Sequence, residues 1–346
     1  MQASLPSYVN GVISSPYVNA GAMENKGFEI TLNTVNISNK NFSWQTGITF
    51  SLNRNKVTKL YTETAGLQGV TDGETYTYTM VGEPVGQFYG YKKVGIFMSE
   101  ADFYQKDENG FPFYDNQGNP KLVALPKDTK IDKDQIWVGD YIWQDSNDDG
   151  VIDEKDRVFI GNPEPKFTFG INNTFTYKNF DLNIFLNGSY GNKVYNCLRR
   201  DYLNPGYSGA LTDALGFAQV GMIDPDGSDR NISNVYVINS NPTTHRVTEL
   251  DTNTNDRLSD AYIEDASYLR VKNISLGYTF PKKLISKLGI DMLRVYVNVQ
   301  NAFTITGYKG YDPEVGAQNQ NVLLRGIDNA RYPTQRTCTF GLNLDF

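Results

Sequence analysis

Apolar residues recur at every second position in several stretches of about ten residues, and that alternation most constrains the fold. In Phe180–Tyr190 (FDLNIFLNGSY) one phase carries Phe180, Leu182, Ile184, Leu186 and Tyr190. The other carries Asp181, Asn183, Asn187 and Ser189, broken by Phe185. In Leu293–Phe303 (LRVYVNVQNAF), Leu293, Val295, Val297, Val299 and Phe303 oppose Arg294, Tyr296, Asn298 and Gln300. In Thr337–Phe346 (TCTFGLNLDF), Cys338, Phe340, Leu342, Leu344 and Phe346 share a face opposite Thr337, Thr339, Gly341, Asn343 and Asp345. A period of two is the signature of strands. Phe28–Ile37, Phe42–Arg54, Gln87–Met98, Gln135–Gln144, Phe167–Tyr177 and Tyr268–Phe280 are further strand candidates. Strands of about ten residues cross a bilayer when tilted, whereas strands of soluble domains run to about five or six.

The connections alternate between short and long. Lys178–Asn179 joins two strands tightly, and Ser38–Asn41 joins another pair, whereas Asn196–Ser267 and Thr304–Arg336 are very long. A membrane barrel has short turns on its periplasmic side and long loops on its extracellular side. The sequence therefore predicts an all-β chain: about nine or ten strands of a transmembrane antiparallel barrel, with long extracellular loops. A soluble β-sandwich is the plainer alternative, disfavoured by strand length, loop asymmetry and the polar second phase.

Composition supports this and excludes much else. The 346 residues are 13% aromatic, with 23 Tyr, 19 Phe and 31 Gly, residues of strands and turns. Net charge is −7, which argues against a nucleic-acid partner and against docking on an anionic membrane surface. Cys197 and Cys338 lie far apart and His245 is the single histidine, so a zinc site or a His-based triad is not expected. No run reaches the ~18 apolar residues of a membrane helix, but barrel strands leave almost no hydropathy signal. Met1–Gly11 has no basic n-region and no apolar h-region. The chain ends on Phe346 with apolar residues at every second position back to Phe340, as in a closing strand with one lipid-facing side.

Several segments resemble the SusC/RagA family of TonB-linked outer-membrane transporters, in family order. They are Asn19–Ile30 (NAGAMENKGFEI), Gly82–Phe97 (GEPVGQFYGYKKVGIF), Gly139–Gly161 (GDYIWQDSNDDGVIDEKDRVFIG), Asn162–Gly170 (NPEPKFTFG), Tyr268–Pro281 (YLRVKNISLGYTFP), Arg294–Phe303 and Tyr332–Phe346. The resemblance covers nearly the whole chain and implies a C-terminal portion, residues 1–346, of a barrel of about 22 strands. The plug domain and signal peptide are not in it, so it reads as a partial sequence.

The implied function is import of a bulky nutrient, oligosaccharide or peptide, across the outer membrane, and not catalysis. The implied partners are a SusD-like surface lipoprotein, TonB–ExbB–ExbD acting through the missing N-terminal region, and the barrel-assembly machinery. That machinery would read Phe340, Leu342, Leu344 and Phe346. Both termini of such barrels lie in the periplasm. Thr304–Arg336 and Asn196–Ser267 are then extracellular, and Pro281–Asp291 and Lys178–Asn179 periplasmic. The alternative function is a soluble, calcium-stabilised extracellular binding module.

Asp145–Asp156 (DSNDDGVIDEKD) carries the strongest local chemistry. Asp145, Asn147 and Asp149 fall at positions 1, 3 and 5 of a calcium loop, with Gly150 at 6, the Val151 carbonyl at 7, Asp153 at 9 and Asp156 at 12. Oxygen ligands at alternate positions can wrap a hard cation, so a structural Ca2+ is expected. Without a metal the same sequence makes an Asx-bonded surface turn. Tyr202, Tyr207, Tyr236 and Tyr262 lie in or beside the longest loop and are candidates for stacking on a ligand. Asp224 and Asp226 sit in a DPDG turn and are not read as a catalytic pair. Arg199, Arg200 and Asp201 read as loop or mouth charge, and His245 as exposed.

Overall fold

The computed structural model describes residues 21–60, 66–203 and 212–346. Seven long strands form its frame: β1 (Ala22–Ser38), β2 (Phe42–Lys59), β3 (Phe167–Tyr177), β4 (Phe180–Tyr190), β5 (Tyr268–Thr279), β6 (Met292–Thr306) and β7 (Thr337–Asp345). They pair in sequence order, each antiparallel to the next, in one open sheet. An eleven-residue strand such as β3 is about 36 Å long at ~3.3 Å per residue.

The register turns the sequence alternation into two continuous faces. Ile37, Trp44, Phe175, Leu182, Leu276, Val297 and Phe340 are successive cross-strand neighbours, an apolar row spanning all seven strands. Phe42, Tyr177, Phe180, Tyr278, Val295 and Leu342 form the next row, toward the short turns. The opposite face carries Ser43, Thr176, Asp181, Gly277, Tyr296 and Gly341 in register. Asn173 is a polar exception on the apolar face, and its amide oxygen accepts from Trp44 Nε1 at 3.0 Å and from Thr46 Oγ1 at 2.8 Å. Phe185, the exception on the polar face, lies across Gly170, which has no side chain to obstruct it.

The three turns at one end are short and locally satisfied. Asn39 Oδ1 accepts from the amides of Asn41 and Phe42. Lys178 takes a left-handed φ of +52°, which reverses the chain in two residues. The third turn is one helical turn, α1 (Lys282–Ile285), followed by a 3-10 turn that ends at Gly289, φ +69°.

The described residues of all three long connections, 60–166, 191–267 and 307–336, lie beyond the other end and fold together into a cap. The cap, not the sheet, holds most of the buried core. Tyr76 and Phe88 of the first connection pack with Tyr195, Leu203, Leu258 and Tyr262 of the second and with Leu324 and Ile327 of the third. A second cluster joins Phe97, Phe103, Ile136, Trp137 and Val138 to Ala218, Val235 and Val237.

Two expected sheet strands are corrected here. Gln87–Met98 holds two four-residue strands, Gln87–Gly90 and Lys93–Ile96, and Gln135–Gln144 holds only Tyr141–Trp143. Their apolar residues Phe88, Phe97, Ile136, Trp137, Val138 and Tyr141 are buried in the cap. The long sheet therefore has seven strands among the described residues instead of nine or ten. Residues 99–134 add none to it.

Candidate functional site

The polar face, the apolar face and the cap each set out a different chemistry. On the polar face, Arg294 of β6 reaches over Gly277 of β5 to Asp181 of β4, with Nε 3.0 Å from Oδ1 and Nη2 2.5 Å from Oδ2. Any Cβ on Gly277 would collide with both side chains. Tyr296 in turn lays its ring over Gly341 of β7. An aromatic ring over a strand glycine replaces the packing that glycine lacks.

On the apolar face, aromatic residues gather near both ends. Trp44 stacks on Phe175 at 5.7 Å, and Phe180 meets Tyr278 at 4.6 Å, near the short turns. Phe50, Phe167 and Tyr190 cluster near the cap, with centroids 5.3 and 5.1 Å apart. Rings at two levels with aliphatic residues between them are the pattern of interfacial girdles. On the closing strand, Phe340 and Phe346 are each 83% exposed and Leu342 60%, while Leu344 is half-buried. Among the described residues nothing covers this apolar row.

Where the cap meets the polar face, Arg270 is an anchor. Its side chain is 3% exposed, with Nη2 2.5 Å from Asp312 Oδ1 and Nη1 2.7 Å from Glu314 Oε2 and 3.0 Å from Thr334 Oγ1. Lys272 Nζ also donates to Glu314, at 3.2 Å. Burial pushes the Asp312 carboxyl up, but donors from Thr334, the Glu314 amide and Arg270 outweigh it and hold the pKa down at about 2. The alternation missed this network because Arg270 reads as one more polar inward residue. Its partners lie in a connection with no regular pattern.

A second buried pair ties two connections together. Asp140 is fully buried and accepts from Arg246 Nε at 2.8 Å, the Trp137 amide at 2.8 Å and Asn255 Nδ2 at 3.1 Å. His245 beside it is also buried, not exposed as expected. It sets its ring edge-on to Tyr141 and Phe217, with Nδ1 2.7 Å from the Arg246 carbonyl. Desolvation lowers its pKa from the ordinary imidazole value.

The acidic loop folds as a chain of Asx bonds. Asp145 accepts from the amides of Asp149 and Gly150, Asn147 from that of Asp149, and Asp149 from that of Val151. Gly150 has φ +84°. Lys155 Nζ lies 3.6 Å from Asp149 and 3.7 Å from Asp153, so a cation of the chain itself offsets part of the charge. Asp156 departs from the expected position-12 ligand. It is fully buried, and its two oxygens accept the amides of Ser146 at 2.8 Å and Asp153 at 2.7 Å. Among the described residues no group of three or more His, Cys, Asp or Glu side chains is placed to hold a metal.

The three described tyrosines of the four do not form one surface. Tyr262 is buried in the cap core and its hydroxyl donates to the Asn255 carbonyl at 3.0 Å, which corrects its assignment as a ligand contact. Tyr202 ends a short helix (Cys197–Tyr202), and Tyr236 lies in a separate short strand, Val235–Val237. Tyr207 lies outside the described residues. Asp224 accepts the Asp226 amide within its turn. Arg199 pairs with Asp213 and Arg200 with Glu74, charges that knit the cap.

An antiparallel sheet with an apolar outer row, a polar inner row and all long connections at one end defines a section of β-barrel wall. No family model matches the chain. The chain is 32% identical to TonB-dependent receptor P3 of Formosa agariphila over 99% of its own length and 30% of that protein's. It is 30% identical to TonB-dependent receptor SusC of Bacteroides thetaiotaomicron, over 95% of the chain and 27% of SusC. A solved RagAB peptide transporter shares the fold, with TM-score 0.63 and 21% identity over 100% of this chain and 32% of that one. The chain belongs to the TonB-dependent receptors, among the relatives of SusC. It spans about three tenths of the length of the curated relatives it matches.

Proposed function

We propose that this chain is part of the wall and outer cap of a TonB-energised importer that carries an oligosaccharide or peptide across the bacterial outer membrane. The observation that supports it best is the seven-strand register, apolar across one face and polar across the other. Such a sheet is stable with lipid outside and a polar lumen inside. In this reading the short turns face the periplasm and the cap faces outward. A SusD-like lipoprotein covers the cap, and TonB–ExbB–ExbD acts through a part of the receptor beyond this chain. The names of relatives such as SusC and the RagAB peptide transporter favour this assignment. No helix among the described residues is long and apolar enough to cross a membrane, and strands take that role here. The test is partitioning of the full-length product. It should require detergent for extraction and migrate heat-modifiably on gels, and recovery as a soluble protein would rule the reading out.

We also propose that the loop at Asp145–Asp156 takes one Ca2+ as a structural ion. Asp145, Asn147, Asp149 and Asp153 with the Val151 carbonyl would supply oxygens, while Asp156 fastens the loop from within. The alternate spacing and the left-handed Gly150 support it. Calorimetric titration of the receptor with Ca2+ that shows no heat lost in Asp149→Ala would remove the ion from the proposal.

A further inference from the structure

The end of the polar face holds a cleft of about 530 Å3 between the sheet and the 307–336 connection. That size is typical of sites for small ligands. Its charges are unevenly matched. The acids Asp312 and Glu314 are engaged by Arg270 and Lys272. Arg325 pairs with Glu164. Arg331, also lining the cleft, has no acceptor for its guanidinium among the described residues. Its backbone is fixed, since the Arg331 amide donates to Asp328 Oδ1 at 3.0 Å. The guanidinium lies over Gly316 on the facing side, where a Cβ would come 2.9 Å from Nη1. Next to it Tyr332 is 78% exposed, and Pro163 and Pro313 line the same cleft.

We propose that this cleft binds a ligand bearing a carboxylate next to a flat apolar face, with Arg331 taking the carboxylate and Tyr332 the face. A guanidinium fork matches a carboxylate in plane and spacing. A tyrosine ring offers an apolar face to a sugar ring or a side chain. The two sources of such a group are an acidic oligosaccharide and the C-terminus of a short peptide. The proposal deepens the import reading and rests on it.

The test uses the full-length receptor in detergent and two matched probe pairs, titrated calorimetrically. One pair is tetragalacturonate and its methyl ester, and the other is tetra-alanine and its C-terminal amide. At least one charged probe should bind about tenfold or more tightly than its neutral counterpart, a difference well resolved by titration. Arg331→Ala should abolish that preference and Arg331→Lys should retain part of it. The pair that discriminates identifies the source of the carboxylate. Equal affinities within both pairs, no binding of either charged probe, or a preference unchanged in Arg331→Ala overturns the proposal. The wild-type comparison alone can do so, whatever the folding of the variants. A heat-modifiable barrel that ignores charge sinks this proposal only, whereas a product soluble without detergent sinks the import reading first.

Discussion

Arg294 grips Asp181 two strands away, across a glycine that makes the crossing possible. The pair laces β4 to β6 over β5, a tie that nearest-neighbour hydrogen bonding cannot supply. Gly277→Val should displace Arg294 and overpack the site, at a cost of about 1–3 kcal/mol. Arg294→Ala should cost less, about 1 kcal/mol, because the pair is partly solvated. Thermal unfolding of the receptor in detergent would check the order, and an Arg294→Ala loss larger than that of Gly277→Val would contradict it.

The closing strand offers a paired comparison. Leu342 lies in register with Val295 on the apolar face, and Asn343 with Arg294 on the polar one. A charge at mid-bilayer depth on a lipid-facing position costs about 2–4 kcal/mol. Leu342→Arg should therefore reduce assembled receptor in the membrane far more than Asn343→Arg. Equal yields, or a larger loss in Asn343→Arg, would show that the assignment of the two faces is wrong.

Removing one member of the Asp140–Arg246 pair should be severe, because the other is left buried without a counter-charge. Arg246→Ala should destabilise the cap by about 3–5 kcal/mol. Hydrogen exchange should locate the loss. Amides of residues 135–143 and 244–258 should lose protection, while those of β3 and β4 keep it. Uniform loss across both regions would mean that cap and sheet unfold as one.

Asp312 makes the cap–sheet anchor sensitive to acid. Its folded pKa lies below that of an unfolded aspartate, so the stabilisation is present above about pH 4 and declines as pH falls toward about 2. Proteolysis by pepsin, active across that window, should open the 307–336 connection more readily at the acid end. Asp312→Asn should flatten the dependence. A wild-type profile no steeper than that of Asp312→Asn would place the acid response elsewhere.

For the acidic loop, Asp145→Ala and Asp149→Ala should each increase cleavage near residues 145–156 in calcium, and chelation should bring the wild type to the same level. Binding to the folded loop alone adds protection that grows with the logarithm of free ion. If chelator changes nothing and the variants resist as the wild type does, the loop is held by its Asx bonds and Lys155.

The frame of the fold was legible because lipid and lumen impose a two-residue period. Five of the seven long strands overlap the alternating stretches almost end to end, while β1 runs beyond its stretch toward Ala22 and β2 beyond its own toward Lys59. The same criterion failed in Gln87–Met98 and Gln135–Gln144. Phe88, Phe97 and Trp137 serve a protein core, where burial comes from all sides and alternation carries no orientation. His245 and Tyr262 were misplaced for the same reason: long connections looked like solvent-exposed loops, and nothing local marks them as core. Arg270 of β5 receives its acids Asp312 and Glu314 from a distant connection, whereas Arg331, itself in that connection, meets none among the described residues. That difference is visible in space and absent from either residue's neighbours in sequence.

The location of the core has a kinetic consequence. Each pair in the sheet joins strands adjacent in sheet order, and two of those pairs close through hairpins of four residues or fewer, Ser38–Phe42 and Tyr177–Phe180. The cluster around Phe88, Tyr195 and Ile327 instead draws on segments separated by more than a hundred residues. Its loop-closure entropy falls only after the strands have gathered the three connections at one end. Strand pairing should then come first and closure of the cap last. A variant such as Phe88→Ala would slow maturation to protease resistance while leaving the rate of membrane insertion unchanged.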